Sequence, residues 1–358
     1  MTRRLLIAAS GTGGHLFPAI ATARYLDDYK IEWLGVPDRL ETQLVPDRSL
    51  LHTIRVGGFQ GPMGLGSLRL IMQLMQAVVR VRQLLKQGQF QGVFTTGGYI
   101  AAPAIIAARS LGLPAILHES NALPGKVTRW LSPWCTVVAL GFQDASLRLP
   151  KASSVSVGTP VRSQFLNPSP APLTEPLGDF KIPTDALLIV IVGGSQGALA
   201  VNRLVRAAAP AWLADGAWIV HQTGQNDPDV DSLSHPHYIH QPFFDQMAPL
   251  LHRANLVVSR AGAGTLTELA VTRTPSLLIP YPFAAEYHQS YNAAVCAAAG
   301  AAQDCRQADI TADGLREKVM DLLRDRDQLA VMAEAAGNLA ILDSAEQLAA
   351  LVRKTLLN

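Results

Sequence analysis

The chain has 358 residues, 49% of them hydrophobic and only 16% charged, so it can bury two cores and is neither disordered nor fibrous. The net charge is +2, no run of 18 uncharged apolar residues occurs, and the three cysteines lack metal-ligand or redox spacing. Together these features exclude a membrane-spanning chain, a disulfide scaffold and a zinc-finger protein.

Charge is distributed unevenly along the chain. Residues 1–162 carry 17 Lys and Arg against 8 Asp and Glu, whereas residues 163–358 carry 13 against 20. No acid occurs between Asp47 and Glu119, an interval that contains seven basic residues. The basic half is expected to meet an anionic partner, such as a phospholipid surface, a polyphosphate or a nucleic acid, unless the asymmetry is only random surface charge.

Short apolar runs that predict buried strands alternate with helical patterns along the chain. The first half contains five such runs: 5–10, 31–35, 92–96, 115–118 and 136–140. The second half contains five more: 187–192, 218–222, 238–241, 256–259 and 276–280. Runs bounded by Gly and Pro and separated by helices predict parallel sheets that are covered by helices on both faces.

A turn-rich segment, which begins at Asn167 and continues to Pro183, separates the two series and predicts a domain boundary. The expected fold class is therefore α/β, with two tandem, doubly wound, Rossmann-like domains facing across a cleft. Their expected ranges are 1–162 and 163–342. The last segment, Ser344–Leu357, has a helical pattern. It could complete the second domain or, from about residue 343 to 358, pack back onto the first.

The first predicted strand runs into a glycine-rich turn, Gly11–Pro18, where a helix begins. Glycines allow a ligand to approach the backbone closely, and a helix N-terminus attracts oxyanions. Leu16 breaks the Rossmann dinucleotide fingerprint, and the missing GK[ST] excludes a Walker P-loop. His15 is the titratable side chain of this turn, either a general base for a sugar hydroxyl or a histidine that only shapes the backbone.

Two loops of the second half repeat this strand, turn and helix pattern. Gly193–Ala198 includes the hydroxyl of Ser195, which suits a phosphate or uracil contact. Ser259–Leu269 follows a predicted strand, and its residues Ala263–Thr265 can offer N–H groups to a diphosphate. Glu268 lies one turn into the helix, where its carboxylate could accept both ribose hydroxyls or only complement the helix dipole.

Two further segments carry polar groups. Pro280–Ala293 is crowded with amides and hydroxyls after a strand end, as recognition of sugar hydroxyls requires. Asp227, Asp229 and Asp231 are spaced acids in a turn between strands, and we interpret them as a solvated loop rather than a metal site.

Seven segments, taken in order, are together specific for a known family. They are Gly11–His15, Thr96–Tyr99, His118–Asn121, Gly158–Arg162, Gly193–Ala198, Arg260–Glu268 and His288–Ala293. With these segments spread over most of its length, the chain resembles the GT-B glycosyltransferases that attach N-acetylglucosamine to lipid I, the lipid-linked precursor of the bacterial cell wall.

The resemblance implies an inverting hexosyltransferase with UDP-N-acetylglucosamine as donor. The acceptor would be the C4 hydroxyl of the undecaprenyl-linked muramyl-pentapeptide, lipid I, and the product lipid II for peptidoglycan synthesis. His15 matches the family's candidate base. The residues implied for substrate binding are Thr12, Gly13, Gly14, Tyr99, Asn121, Arg162, Ser195, Phe244, Ala263, Gly264, Thr265, Leu266, Thr267, Glu268, Gln289 and Asn292. No cofactor and no metal are implied, because helix N-termini can stabilise the departing UDP.

Two positions depart from the family's pattern in the segment expected to bind the acceptor. Ser120 stands before Asn121 where Gln is more common, and Thr128 stands where Asn is common. Both differences bear on acceptor binding and leave the expected donor site as it is.

A helix predicted from about Ser67 to Lys86 lies in the acid-free interval. Its polar stripe consists of Arg69, Gln73, Gln76, Arg80 and Gln83, and its apolar residues are Leu68, Ile71, Met72, Met75, Val78 and Val79. Burial against the sheet is expected to account for most of the apolar residues. Part of the helix, the Gly57–Gly66 loop and nearby arginines are expected to dock on anionic lipid.

The resemblance also implies a peripheral location at the cytoplasmic face of the inner membrane. The expected partners are UDP-N-acetylglucosamine, lipid I and an anionic membrane surface, with no nucleic acid. Other proteins of cell-wall synthesis and division are further candidates.

Three other functions are considered beside this one. A UDP-N-acetylglucosamine 2-epimerase would share the architecture without needing a lipid acceptor. A non-catalytic nucleotide-sugar-binding protein would bind the donor and never release UDP. A dinucleotide-dependent reductase is disfavoured, because Leu16 interrupts the fingerprint.

Overall fold

The computed structural model describes residues 3–11, 13–39, 41–45, 49–57, 65–167, 182–194 and 197–357, without the side chains of residues 65–68. The chain divides into two compact units. Unit 1 is Met1–Arg162 together with Asp343–Asn358, and unit 2 is Ser163–Leu342. Within the described ranges, no helix is both long and apolar enough to cross a membrane.

Strands and helices alternate in both units. The strands are β1 (Arg3–Ala8), β2 (Tyr29–Gly35), β3 (Leu50–Thr53), β4 (Gly92–Thr95), β5 (Ala115–Glu119), β6 (Val137–Leu140), β7 (Ser154–Ser156), β8 (Leu188–Val192), β9 (Trp218–Gln222), β10 (Tyr238–Gln241), β11 (Leu256–Ser259), β12 (Ser276–Leu278) and β13 (Ala302–Asp304). The helices are α1 (Gly13–Ala23), α2 (Glu41–Leu44), α3 (Leu65–Gln87), α4 (Ala101–Ser110), α5 (Lys126–Leu131), α6 (Ser163–Leu166), α7 (Leu199–Ala214), α8 (Met247–Arg253), α9 (Ala263–Val271), α10 (His288–Ala298), α11 (Ala312–Arg324), α12 (Arg326–Asn338) and α13 (Ser344–Leu357).

The described strands of unit 1 form a parallel sheet in the order β3-β2-β1-β4-β5-β6-β7. Successive side chains of a strand point to opposite faces, so Leu6 and Ala8 of β1 enter one core while Leu5 and Ile7 enter another. Helices α3 and α4 pack together on the first face, and α1 and α13 on the second. The sheet is thus buried on both sides, as its continuous apolar strands predict.

The described strands of unit 2 form a second parallel sheet, in the order β10-β9-β8-β11-β12-β13. Residues Ile189 and Ile191 of β8 pack against α7 and α11 on one face. The strand order of each unit is that of a doubly wound α/β fold, which confirms the predicted pair of doubly wound domains.

The strand order reverses once in each unit, between β1 and β4 and between β8 and β11. Open parallel sheets bind ligands at such reversals, beyond the carboxyl ends of the strands. Each unit therefore has a strand-order reversal beyond which a ligand is expected to bind.

The C-terminal helix α13 groups with unit 1. Leu348, Ala349 and Val352 are buried in the same core as Leu5 of β1. Arg353 clamps the helix in place by donating to Asp28 at 2.6 Å and to the carbonyl of Tyr25 at 2.6 Å.

The apolar residues of α3 are less buried than the sequence analysis expected. Its buried contacts come from Ala77, Val81 and Leu85, whereas Ile71, Met72, Met75 and Val79 are exposed. The expectation that burial accounts for most of the apolar residues was therefore wrong. The reason is the packing direction: α3 meets the core, with α4, through a separate row of residues four apart. Leu68, the proposed Ser67 cap and most of the Gly57–Gly66 loop lie outside the described side chains and residues.

Candidate active site

Three loops meet at the carboxyl edge of the unit 1 sheet. They follow β1, β4 and β5, which are neighbours in the sheet, and the reversal of strand order lies between β1 and β4. Most of the residues predicted for the acceptor side lie in these loops or in the first turn of α1.

The His15 side chain, in the first turn of α1, reaches across this reversal to the loop after β4. Its Nδ1 atom lies 2.7 Å from the carbonyl oxygen of Thr96. Gly97 and Gly98 follow with φ values of +94° and +75°, and a Cβ at Gly97 would lie only 3.4 Å from the ring. The two glycines therefore let the backbone turn tightly beside the imidazole.

The Thr96 contact defines which nitrogen of His15 carries the proton. A carbonyl oxygen can only accept, so Nδ1–H is the donor and the neutral ring holds its lone pair on Nε2. The half-buried ring is thus arranged to accept a proton at Nε2.

Three other predicted residues of unit 1, Gly13, Gly14 and Arg162, lie at or beside the start of α1. Gly13 begins the helix, and a Cβ there would lie 2.7 Å from the ring of Phe17. The guanidinium carbon of Arg162 lies 4.7 Å from the centre of the same ring, so a cation stands beside the turn. Tyr99 is 48% exposed, and Gly14 is exposed in the first turn of the helix. Thr12 lies outside the described residues.

A single carboxylate organises the loop after β5. Glu119 is 6% exposed and ends the strand. Its Oε1 accepts from the backbone N–H and the side-chain amide of Asn121, both at 3.0 Å. Its Oε2 accepts from the N–H of Gly125 at 3.1 Å and the hydroxyl of Thr128 at 2.7 Å. Asn121 is therefore held by Glu119, a residue to which the sequence analysis gave no role.

The two departures from the family's pattern face inward. Thr128 is 3% exposed and supplies one of the four donors to Glu119. Ser120 is 6% exposed, and its hydroxyl lies 3.4 Å from Nδ1 of His118. Burial lowers the pKa of His118, whose Nε2 lies 2.9 Å from the carbonyl of Gly158. Both residues thus lie inside the loop and contact its buried polar side chains.

In unit 2, the predicted diphosphate site coincides with the first turn of α9. Gly262 caps the helix without a side chain, and Ala263, Gly264 and Thr265 begin it. The N–H groups of a first helical turn have no partner within the helix, so they can donate to an anion. Thr267 donates its hydroxyl to the carbonyl of Ala263 at 2.9 Å. Leu266 is buried, and Glu268, about one turn after Gly264, is half-buried.

Gln222 links two loops of the predicted nucleotide site. It ends β9, is 4% exposed, donates to the carbonyl of Gly194 at 3.2 Å and accepts from the N–H of Phe244 at 3.2 Å. The Phe244 ring is 2% exposed. Ser195 lies outside the described residues. Gln222 and Glu119 were not predicted from the sequence, although both are polar residues that end a buried strand.

The two predicted amides on α10 are both anchored to backbone. Gln289 accepts through Oε1 from the N–H of Tyr281 at 2.9 Å. Asn292 is fully buried and donates through Nδ2 to the carbonyl of Ala261 at 3.1 Å. The loop before α10 contains Glu286 and Tyr287 in the left-handed region, at φ +53° and +59°. The backbone of a residue other than glycine is strained in this region, and such strain is often found at functional sites.

The interpretation of residues 227–231 as a solvated loop was wrong for Asp227. Asp227 is 8% exposed and accepts two hydrogen bonds from Arg206, at 2.7 and 3.0 Å, and one from Asn202 at 2.7 Å. The cause is the buried guanidinium of Arg206, which requires a carboxylate partner. Over the described part of the chain, no group of three or more His, Cys, Asp or Glu is placed to hold a metal ion.

Comparison with known proteins agrees with this architecture. The model of the glycosyltransferase family 28 N-terminal domain matches residues 5–140, and that of the family 28 C-terminal domain matches residues 188–348. MurG of Acinetobacter baumannii is similar in structure, with a TM-score of 0.78 and 30% identity, covering 99% of this chain and 100% of that one. The calicheamicin glycosyltransferase CalG4, at 15% identity and a TM-score of 0.71, shares the fold.

Two relatives carry the same name, UDP-N-acetylglucosamine–N-acetylmuramyl-(pentapeptide) pyrophosphoryl-undecaprenol N-acetylglucosamine transferase. The Nostoc sp. protein is 62% identical over 98% of this chain and 97% of its own length. The Synechococcus elongatus protein is 58% identical over 99% of this chain and 98% of its own length. Because the two domain models cover most of the chain and these relatives align along nearly all of it, the chain belongs to glycosyltransferase family 28.

Proposed function

We propose that this chain transfers N-acetylglucosamine from UDP-N-acetylglucosamine to the C4 hydroxyl of the muramyl residue of lipid I, with inversion, giving lipid II for peptidoglycan synthesis. The observation that carries this proposal is the 62% identity, over nearly the full length of both chains, with the Nostoc transferase of that name. The chain is accordingly a hexosyltransferase.

His15 is the proposed general base. Its Nδ1–H is held by the Thr96 carbonyl, so Nε2 would take the proton of the acceptor's C4 hydroxyl as that oxygen attacks the anomeric carbon. The bond from the anomeric carbon to the diphosphate breaks in the same displacement, and UDP leaves with the electron pair. Gly13 and Gly14 would border the diphosphate and the acceptor, Asn121 would line the nucleotide-sugar site, and Tyr99 would bind substrate. The role of Thr12 stays a prediction.

The donor would be held in unit 2. The first turn of α9 supplies N–H groups for the diphosphate, and the same groups would stabilise the departing UDP without a metal ion. Glu268 would accept the ribose hydroxyls. The Phe244 ring is buried, and the backbone N–H of Phe244 is bound to Gln222. The backbone carbonyl of Phe244 would therefore supply the contact with the uracil. Gln289 and Asn292 would read the sugar, Arg162 would face the nucleotide sugar, and the role of Ser195 stays a prediction.

We also propose that unit 1 docks on an anionic membrane surface, at the cytoplasmic face of the inner membrane. Met72, Met75 and Val79 of α3 are at least half exposed on one side of the helix. Arg69, Arg80, Arg82 and Lys86, all exposed, lie on the same helix and can meet lipid phosphates. Trp130 and Trp134, 74% and 49% exposed, follow on segments that pack against α4, as α3 does.

The decisive experiment supplies the full chain with UDP-N-acetylglucosamine and a lipid I analogue, and follows UDP release and the disaccharide product. Turnover that requires both substrates is expected. A folded protein that converts the donor alone would instead be an epimerase, and one that binds the donor but never releases UDP would be a sensor. Either result would overturn the proposal.

A further inference from the structure

Arg260 and Gln289 hold the same peptide group from its two sides. Arg260 follows β11, is 8% exposed, and donates through Nη1 to the carbonyls of Ile279 at 3.0 Å and Pro280 at 3.1 Å. The next N–H, that of Tyr281, donates to Oε1 of Gln289 at 2.9 Å. The carbonyl and the N–H of the Pro280–Tyr281 peptide are therefore fixed by two different side chains.

The guanidinium of Arg260 is itself locked in orientation. Its Nη2 donates to Oε1 of Gln307 at 2.6 Å, and its central carbon lies 5.3 Å from the centre of the Tyr281 ring. Burial lowers the pKa of Arg260 to about 10, which still leaves it charged at neutral pH. Because the planar guanidinium is contacted at both terminal nitrogens and on its face, its orientation is fixed. A lysine ammonium, which rotates freely, would not be fixed in this way.

This arrangement determines which end of the Gln289 amide faces a ligand. The backbone N–H of Tyr281 can only donate, so it binds Oε1 and leaves Nε2 as the part of the amide that donates elsewhere. Asn292, three residues along the same helix face, is tied to Ala261, the residue after Arg260. The side-chain amides of Gln289 and Asn292 are thus both hydrogen-bonded to backbone groups that adjoin Arg260 or its contacts.

We infer that Arg260 is a positioning residue for donor-sugar recognition: it fixes the Pro280–Tyr281 peptide, which fixes the Gln289 amide with Nε2 directed at a sugar hydroxyl. This inference rests on the proposed function, which makes N-acetylglucosamine the donor sugar. It assigns Arg260 to recognition of the sugar rather than of UDP.

The test compares binding of UDP-N-acetylglucosamine with binding of UDP by isothermal titration calorimetry. Arg260→Met is expected to weaken UDP-N-acetylglucosamine binding about tenfold, the size of one lost hydrogen bond, and to change UDP binding far less. Gln289→Glu keeps the oxygen that accepts from Tyr281 but removes the Nε2 donor, so the same sugar-selective loss is expected without a fall in thermal stability.

A double-mutant cycle asks whether Arg260 acts through Gln289. Adding Arg260→Met to Gln289→Glu should cause little further loss of sugar binding, because the positioned donor is already gone. Arg253→Met is the matched control. Arg253 also donates to three backbone carbonyls of unit 2, those of Pro183, Thr184 and Ala186, but it lies before β11 and away from α10. Its removal should leave the ratio of the two affinities unchanged.

Two outcomes would overturn the inference: equal losses of UDP and UDP-N-acetylglucosamine binding, or additive losses in the cycle. If Arg260→Met does not fold, Arg260→Lys replaces it, because an ammonium keeps the charge but cannot hold both carbonyls and Gln307 in one plane. A wild-type chain without transferase turnover would refute the proposed function. Turnover together with additive losses would refute only the role of Arg260.

Discussion

The hydroxyl of Thr128 donates a hydrogen bond of 2.7 Å to the carboxylate of Glu119, nine residues earlier in the chain. Thr128 replaces the Asn expected from the family resemblance, so this position retains a donor although the residue type differs. The bond closes a loop in which the same carboxylate also holds Asn121.

Thr128→Val should therefore destabilise unit 1. The substitution keeps the shape of the side chain but leaves buried Oε2 of Glu119 with one donor fewer, at a cost of about 1–3 kcal/mol. Urea unfolding measures the free energy. Thr42→Val is the control, because the Thr42 hydroxyl is exposed and donates to the carbonyl of Arg39, three residues earlier on the surface. Equal stability of the two variants would contradict the role of Thr128.

His15→Ala should lower turnover and spare donor binding. Loss of a general base reduces kcat by about 100- to 10,000-fold, whereas the UDP contacts proposed for unit 2 do not involve His15. Steady-state kinetics with a lipid I analogue and calorimetry with UDP separate the two effects. His235→Ala, at an exposed histidine of unit 2, should behave as wild type. A His15→Ala enzyme with normal kcat would refute the base assignment.

Asp227→Asn should cost far more stability than Asp229→Asn. Asp227 pairs with Arg206 in the interior, so its neutralisation strands a buried guanidinium, and breaking such pairs costs about 3–5 kcal/mol. Asp229 pairs with Arg203 at the surface, where ion pairs contribute only about 0–1 kcal/mol. Chemical denaturation of both variants gives the comparison, and similar losses would show that Asp227 is solvated after all.

Unit 2 should lose stability as the solution is acidified. Burial lowers the pKa of His221 to about 3, whereas the pKa of an imidazole in the unfolded chain is about 6.5. Between these values the unfolded chain binds a proton that the folded chain does not, so the free energy of unfolding falls as pH falls through this window. Urea titrations at several pH values measure the slope. An NMR signal of His221 that titrates near neutral pH in the folded protein would contradict the expectation.

Placing two carboxylates on the exposed side of α3 should weaken membrane binding. Met75→Glu combined with Val79→Glu replaces apolar surface by charges that anionic lipid repels. Flotation with vesicles containing phosphatidylglycerol measures the bound fraction, which is expected to fall sharply. Val331→Glu is the control, since Val331 is 62% exposed on α12 of unit 2. If binding of the wild-type protein to vesicles does not depend on anionic lipid or on salt, the proposed membrane docking is refuted.

The interior strands could be predicted from sequence and three edge strands could not. β3, β7 and β13 were missed, and all three lie at a sheet edge. These three strands are short and partly exposed, so they lack the continuous apolar run by which β1 or β8 is recognised, whereas the edge strand β10 was predicted. The exposed side of α3 was misjudged for a related reason: its pattern shows an apolar circumference but not which part of it meets α4.

The sequence predicted where a helix begins after a strand end, as at Gly13 after β1 and at Ala263 after β11. The candidate site was not predictable where a side chain binds the backbone of a distant segment. His15 and Thr96 are 81 residues apart, and nothing in the type of Thr96 marks its carbonyl as the acceptor. Arg260 and Asn292 likewise act through carbonyls, which every residue possesses.

Helix α13 has a consequence for how the protein is made. Unit 1 is interrupted by all of unit 2, and Leu348, Ala349 and Val352 cover the face of its sheet that contains Leu5. During synthesis on the ribosome, α1 can cover its part of that face early, but the part under α13 stays uncovered until residues 344–357 have been translated. The first sheet to emerge is thus the last to be completed, and a nascent chain must keep its apolar surface from aggregating while the entire second unit is being added.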